Sequence, residues 1–160
     1  MRSREHYDRL LQPLLGRANA YARSILRNRH NSEDAVQQAA MRGWERFGTF
    51  DRNRSFKAWW FAILHNCCID IIRASSALRT TALAPEVIDE ATSSDDAWLQ
   101  LAGALARLSE DHREILRLKY FADQSYDEIA QTLSIPKGTV MSRLHLARKA
   151  LAAKMSVEES

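Results

Sequence analysis

The sequence predicts an all-α protein: two small helical domains joined by a flexible acidic linker, the second containing a helix-turn-helix. Three observations carry this prediction. Apolar residues recur at helical rather than alternating spacing through most of the 160 residues, with only five Gly and three Pro to interrupt them. That periodicity lapses over residues 75–96, where Ser, Thr and acidic residues gather. Near the C-terminus, residues 125–149 read as helix, tight turn, helix.

Composition narrows the function classes. A hydrophobic content of 46% is too high for wholesale disorder. No apolar run approaches the roughly 18 residues of a membrane span, and nothing resembles a signal peptide, so a cytoplasmic protein without membrane insertion is expected. Cys67 and Cys68 are adjacent, closer than disulfide geometry prefers, and with His65 they are better read as small buried groups than as a metal or redox cluster. The sequence contains no Gly-rich phosphate loop, nucleophile triad or paired-carboxylate constellation, so neither catalysis, a metal nor a cofactor is indicated.

The net charge of +3 conceals a segmentation. Residues 1–74 carry 13 Lys+Arg against 7 Asp+Glu, residues 75–96 carry 1 against 5, and residues 97–160 carry 9 against 8. Within the last segment, residues 137–154 hold five cations and no acid. Two cationic surfaces joined by an acidic connector point to a polyanion touched at two places.

Taken in order, residues 4–12 form an amphipathic piece with Tyr7, Leu10 and Leu11, and Pro13 suits the first position of the next helix, which runs to about Arg29. Leu14, Ala18, Tyr21 and Ile25, with Leu15 and Ala22 beside them, make its core face. Ser32 is the expected N-cap of a third helix over 33–47, with Glu33 and Asp34 in the first turn where the helix dipole favours carboxylates. Its inward stripe is Val36, Ala39, Ala40, Gly43, Trp44 and Phe47. Asp34, Gln37, Gln38 and Arg42 form a polar face that spacing alone reads as an ordinary solvated one.

Residues 48–54 break the pattern, and Phe50, near Arg52 and Arg54, could stack on an unpaired base or tuck into the core. Ser55 caps a helix from Phe56 to about Ala74. One side, Trp60, Ile63, Leu64, Cys67 and Ile71, is apolar; the other carries Trp59, Ala62, His65, Asn66, Ile69, Asp70 and Arg73. Such a mixture of aromatic, amide and cation suits single-stranded nucleic acid, which needs stacking and edge hydrogen bonds together. Phe61 is assigned to the core. The 22 residues of the linker could span at most about 75 Å, enough for two separate sites on DNA.

Beyond the linker, a helix carries Leu99, Ala102, Leu105 and Ala106, and Ser109 caps another with Ile115, Leu116, Leu118 and Phe121. Ser125 and Glu128 have the spacing of a capping box, so a helix starts near Tyr126 and stops before Pro136. In the closing helix Val140, Leu144, Ala147 and Leu151 form the buried stripe. Met141, Ser142, His145, Leu146 and Lys149 lie opposite, flanked by Arg143 and Arg148. A major-groove reader needs this arrangement, short polar and apolar groups outward with cations beside them for phosphate, although a bundle with a solvated basic face would share it.

Both halves resemble the extracytoplasmic-function sigma factors, the two-domain group of the sigma-70 superfamily. The matching residues are 32–38, Arg42-Gly43-Trp44, Phe56-Lys57-Ala58-Trp59 and 65–73 in the first half; in the second they are 108–121, 125–133 and 135–150. The resemblance implies a promoter-specificity subunit of bacterial RNA polymerase, not itself an enzyme, held by an anti-sigma factor. It assigns residues 1–74 to binding the core-polymerase clamp and to recognising and melting the −10 element, 75–96 to the linker, and 97–156 to reading the −35 element and touching the polymerase flap.

By the same resemblance Asp34, Gln37, Gln38 and Arg42 bind core polymerase. Phe50, Asn53, Arg54, Lys57, Trp59, His65, Asn66 and Arg73 meet the −10 DNA, and Lys137, Thr139, Met141, Ser142, Arg143, His145, Leu146, Arg148 and Lys149 meet the −35 DNA. Gln38 stands where relatives commonly have an acid, His65 where they have Arg, Ser134 where they have Gly, and Met141 and Leu146 where they are often basic. Those departures motivate an alternative, a sigma mimic that binds an anti-sigma factor without reading promoters. A stand-alone helix-turn-helix repressor would leave the first half unexplained.

Overall fold

The computed structural model describes residues 3–81 and 96–159. Among them are eight α-helices and no strand: α1 Arg4–Leu11, α2 Leu15–Leu26, α3 Arg29–Arg46, α4 Phe56–Thr81, α5 Asp96–Ala106, α6 Glu110–Tyr120, α7 Tyr126–Leu133 and α8 Lys137–Glu159. Contacts divide the chain into two units, Met1–Asp89 and Glu90–Ser160. No helix of the described residues is long and apolar enough to cross a membrane.

In the first unit α2, α3 and α4 pack on one another and α1 lies against α3. Tyr7 on α1 is the keystone, with no exposed surface. Its hydroxyl donates to the carbonyl of Ala40 at 2.6 Å and accepts from Trp60 Nε1 at 3.2 Å, tying α1, α3 and α4 together. Gly43 faces this pair. A Cβ there would collide with the Tyr7 hydroxyl and come within 2.9 Å of Trp60 Cδ1, so only glycine lets α3 approach so closely. Tyr21, Phe61 and Leu64 complete the core, Phe61 as expected and edge-on to both Tyr21 and Trp60.

Boundaries at α2 and at α4 differ from the sequence expectation. Pro13, expected to open the second helix, lies in a 3-10 turn over Gln12–Leu14, and α2 starts at Leu15. The second helix stops at Leu26 rather than Arg29, because Arg27 turns left-handed at φ 56°. Asn28, extended, then caps α3 by accepting from the Asn31 N–H. Ser32 is therefore not the N-cap. It lies inside the helix, buried, and its hydroxyl donates back to the Asn28 carbonyl at 2.6 Å. Glu33 and Asp34 fall in the second turn, where they pair with Arg29 and His30 one turn earlier. The second difference is in α4, which continues through Thr81, so residues 75–81, assigned to the linker from their composition, are helical. Asp96, also assigned to the linker, opens α5, while linker residues 82–95 and the Leu99 side chain lie outside the described residues.

In the second unit α6 and α7 both pack on α8, and α5 joins them. Ile115, Leu116, Leu118, Ile129, Val140, Leu144 and Ala147 are buried together. Leu151 is half-buried, and Ala106, expected inward, is exposed, the buried face of α5 being Ala102, Ala104 and Leu105. Ser109 caps α6 and the capping box of Ser125 and Glu128 opens α7, both as the spacing predicts. The turn between α7 and α8 passes through Ser134 at φ 56° and ψ 46°, the left-handed conformation glycine usually supplies.

Candidate nucleic-acid interface

Three surfaces hold the candidate residues. On α3, Gln37 and Gln38 are exposed and Asp34 is half-buried, its carboxylate 3.5 Å from His30 Nε2. Arg42 reaches across to α4, where its Nη1 donates to Asp70 Oδ2 at 3.0 Å. That bond raises the Arg42 pKa, and the guanidinium beside the Cys67 thiol partly offsets the upward shift that burial imposes on the thiol. Met41, 65% exposed, lies amid these polar groups. The 34, 38, 41, 45 spacing places it on the same face, but an apolar side chain carries no hydrogen-bonding signal in the sequence.

The second surface runs along the loop after α3 and down α4. Phe50 is half-buried, stacked on Phe47 with ring centroids 6.1 Å apart and in contact with Phe56 and Trp59 at 5.5 and 5.1 Å. The core-packed reading of its ring is thus realised, with part of it left accessible. Asp51 shapes the loop: its carboxylate accepts from the Asn53 N–H and its carbonyl from the Arg54 N–H, both at 3.0 Å, which leaves the Asn53 and Arg54 side chains exposed. Lys57 and Trp59 are half-buried at the start of α4, and Asn66 and Arg73 are exposed. Trp59, Asn66 and Arg73 recur every seven residues, about 10.5 Å apart along one line of the helix. His65 does not join that line. It is half-buried on the shoulder towards α2, with Nδ1 3.2 Å from the Tyr21 hydroxyl.

The third surface is α8. Burial of Val140, Leu144 and Ala147 turns Met141, Ser142, His145, Leu146 and Lys149 outward, with Met141 and Leu146 53% and 55% exposed. Arg143 and Thr139 are half-buried. Ser142 Oγ donates to the Thr139 carbonyl at 3.1 Å, and Lys137 pairs with Asp127 of α7 at 3.4 Å. Arg148 is exposed and bonded to Tyr120 of α6. This helix presents donors, an acceptor and apolar groups on a convex rod with cations along it, the chemistry required to read base edges in a major groove. Among the described residues no group of His, Cys, Asp and Glu could hold a metal ion, and Cys67 and Cys68 are both buried.

The two halves of the chain match two parts of one known family, in order. Residues 10–77 match the family model for Sigma-70 region 2, and residues 98–151 that for Sigma-70, region 4. The ECF RNA polymerase sigma factor SigL of Mycobacterium tuberculosis is 33% identical over 139 residues, covering 82% of this chain and 78% of that one. The ECF RNA polymerase sigma factor SigW of Bacillus subtilis is 29% identical over 147 residues, covering 82% and 79%. The solved structure of the sigma factor RpoE in complex with the anti-sigma factor NepR, from Bartonella quintana, superposes with a TM-score of 0.76 at 26% identity, covering 96% of this chain and 98% of that one.

Proposed function

The chain belongs to the extracytoplasmic-function RNA polymerase sigma factors, and from that premise we propose that it directs bacterial core polymerase to a subset of promoters under the control of an anti-sigma factor. It acts with the enzyme rather than as one, in the cytoplasm where the polymerase works. The observation that carries this reading is the division of surfaces: a polar face on α3, an aromatic and amide line on α4, and in the other unit a helix with Ser142, His145, Leu146 and Lys149 outward.

In this reading residues 1–74 grip the clamp through Asp34, Gln37, Gln38 and Arg42. They also meet the −10 element through the loop and α4, with Phe50, Asn53, Arg54, Lys57, Trp59, Asn66 and Arg73 at the strand. His65 acts from behind that line, through its contact with Tyr21. Residues 97–156 read the −35 element as duplex. Met141 and Leu146 offer methyl and methylene groups where cations would attract phosphate, which favours thymine methyl contacts over salt-dependent attraction.

Reconstitution tests the proposal. Purified chain with core enzyme, on a pool of genomic templates, should yield RNA starting at a limited set of positions that share two upstream elements. The absence of promoter-specific RNA would overturn it. The exposed Met141 and Leu146 also suit a protein partner, and a mimic that binds only an anti-sigma factor would fail to co-purify with core polymerase.

A further inference from the structure

Tyr120 closes α6 with 51% of its surface exposed. Its phenol oxygen accepts from Arg148 Nε at 2.7 Å, and the guanidinium lies over the ring, 5.7 Å from its centroid. The phenols of Tyr120, foremost, and of Tyr126 raise the Arg148 pKa. Lys119 sits 5.2 Å from the centroid of the Tyr126 ring. Two cations and two phenols from α6, α7 and α8 therefore converge on one flank of α8. Arg148 follows Met141 by seven residues, so this flank borders the outward face.

The hydrogen-bond inventory gives the cluster a direction. A phenol oxygen that accepts from Nε still carries its own O–H, and beside a guanidinium the favoured acceptor for that proton is an anion. A duplex seated on the outward face of α8 would bring its backbone to this border. We propose that Tyr120 and Arg148 form a joint phosphate-binding site for the promoter backbone, Tyr120 fixing the guanidinium through Nε and offering its O–H to the same phosphate. The proposal rests on the reading of α8 as the −35 reader.

The test uses holoenzyme assembled from the full chain and core polymerase, on labelled duplex promoters taken from the transcription starts it produces, with affinity measured at several KCl concentrations. Tyr120→Phe keeps the ring and removes the hydroxyl. It should weaken binding about 3- to 10-fold on every promoter. Arg148→Ala should weaken it likewise and lower the slope of log affinity against log salt by about 1, and adding Tyr120→Phe to it should cost less than about twofold more. A strut that merely joins α6 to α8 would leave the salt slope unchanged. An unchanged slope, or losses that multiply independently, overturns the joint site. Ser142→Ala on the same fragments separates the two levels: if it weakens binding while Tyr120→Phe does not, the joint site fails and the −35 reading stands. If neither Ser142→Ala nor Arg148→Ala has an effect, both fail.

Discussion

Replacing Gly43 by Ala tests the packing that sets the α3 face. In an ordinary helix interior the change would stabilise by about 1 kcal/mol, because glycine has the greater backbone freedom to lose. Here the added methyl would meet the Tyr7 hydroxyl and approach Trp60 Cδ1 to 2.9 Å. Tyr7 cannot retreat cheaply: it holds the Ala40 carbonyl and the Trp60 indole N–H, and each bond lost costs about 1 kcal/mol. Overpacking a tight core adds about 1–3 kcal/mol, so with both bonds lost the net loss should be about 2–4 kcal/mol. Urea unfolding followed by tryptophan fluorescence reads this directly, since Trp44, Trp59 and Trp60 all belong to the first unit. The midpoint of that unit should fall by about 1–2 M at unchanged slope. Core-polymerase affinity should fall too, because α3 must shift to admit the methyl. A midpoint equal to or above that of the parent chain would show that close approach does not dictate glycine at this position.

Ser134→Gly should stabilise the second unit by about 0.5–1 kcal/mol in thermal unfolding, because it relieves the left-handed strain at φ 56° against a smaller cost in unfolded-chain entropy; an unchanged or lower midpoint would contradict this. Asp70→Ala should change stability by less than about 0.5 kcal/mol, since the pair with Arg42 is 37% and 49% exposed, yet it should weaken core binding several-fold by releasing the guanidinium; full retention of core affinity would remove that role from the pair. Asn66→Ala should impair strand opening or −10 discrimination more than −35 contact, as permanganate footprinting and promoter variants would report, and an unchanged −10 preference would count against it. Ser142→Ala, Arg143→Ala and Lys149→Ala should each lower −35-dependent initiation several-fold while leaving core binding intact; loss of core binding instead would refute the division of labour between the units.

Local chemistry accounts for what was legible in the sequence. The caps at Ser55, Ser109 and Ser125 join residues three apart, and the stripe of Val140, Leu144 and Ala147 repeats at the helix period, so composition over a few residues suffices to find them. At Ser32 local chemistry was not enough, because two cap-forming side chains compete four residues apart. Burial of the serine and the left-handed turn at Arg27 gave the cap to Asn28. Nor was it enough at residues 75–81, whose small polar composition did not stop α4.

By itself, then, the sequence determined the helical class, the two-part layout and which face of α8 turns outward, because helix periodicity and caps are encoded within a turn or two. The tertiary structure decided which exposed groups are held in place. Arg42 meets Asp70, and Arg148 meets Tyr120, each across 28 residues, and His65 meets Tyr21 across 44. Contacts at such separations depend on how helices cross, and crossing is set by the fit of buried groups such as Gly43, Tyr7 and Trp60, which no periodicity in the chain records.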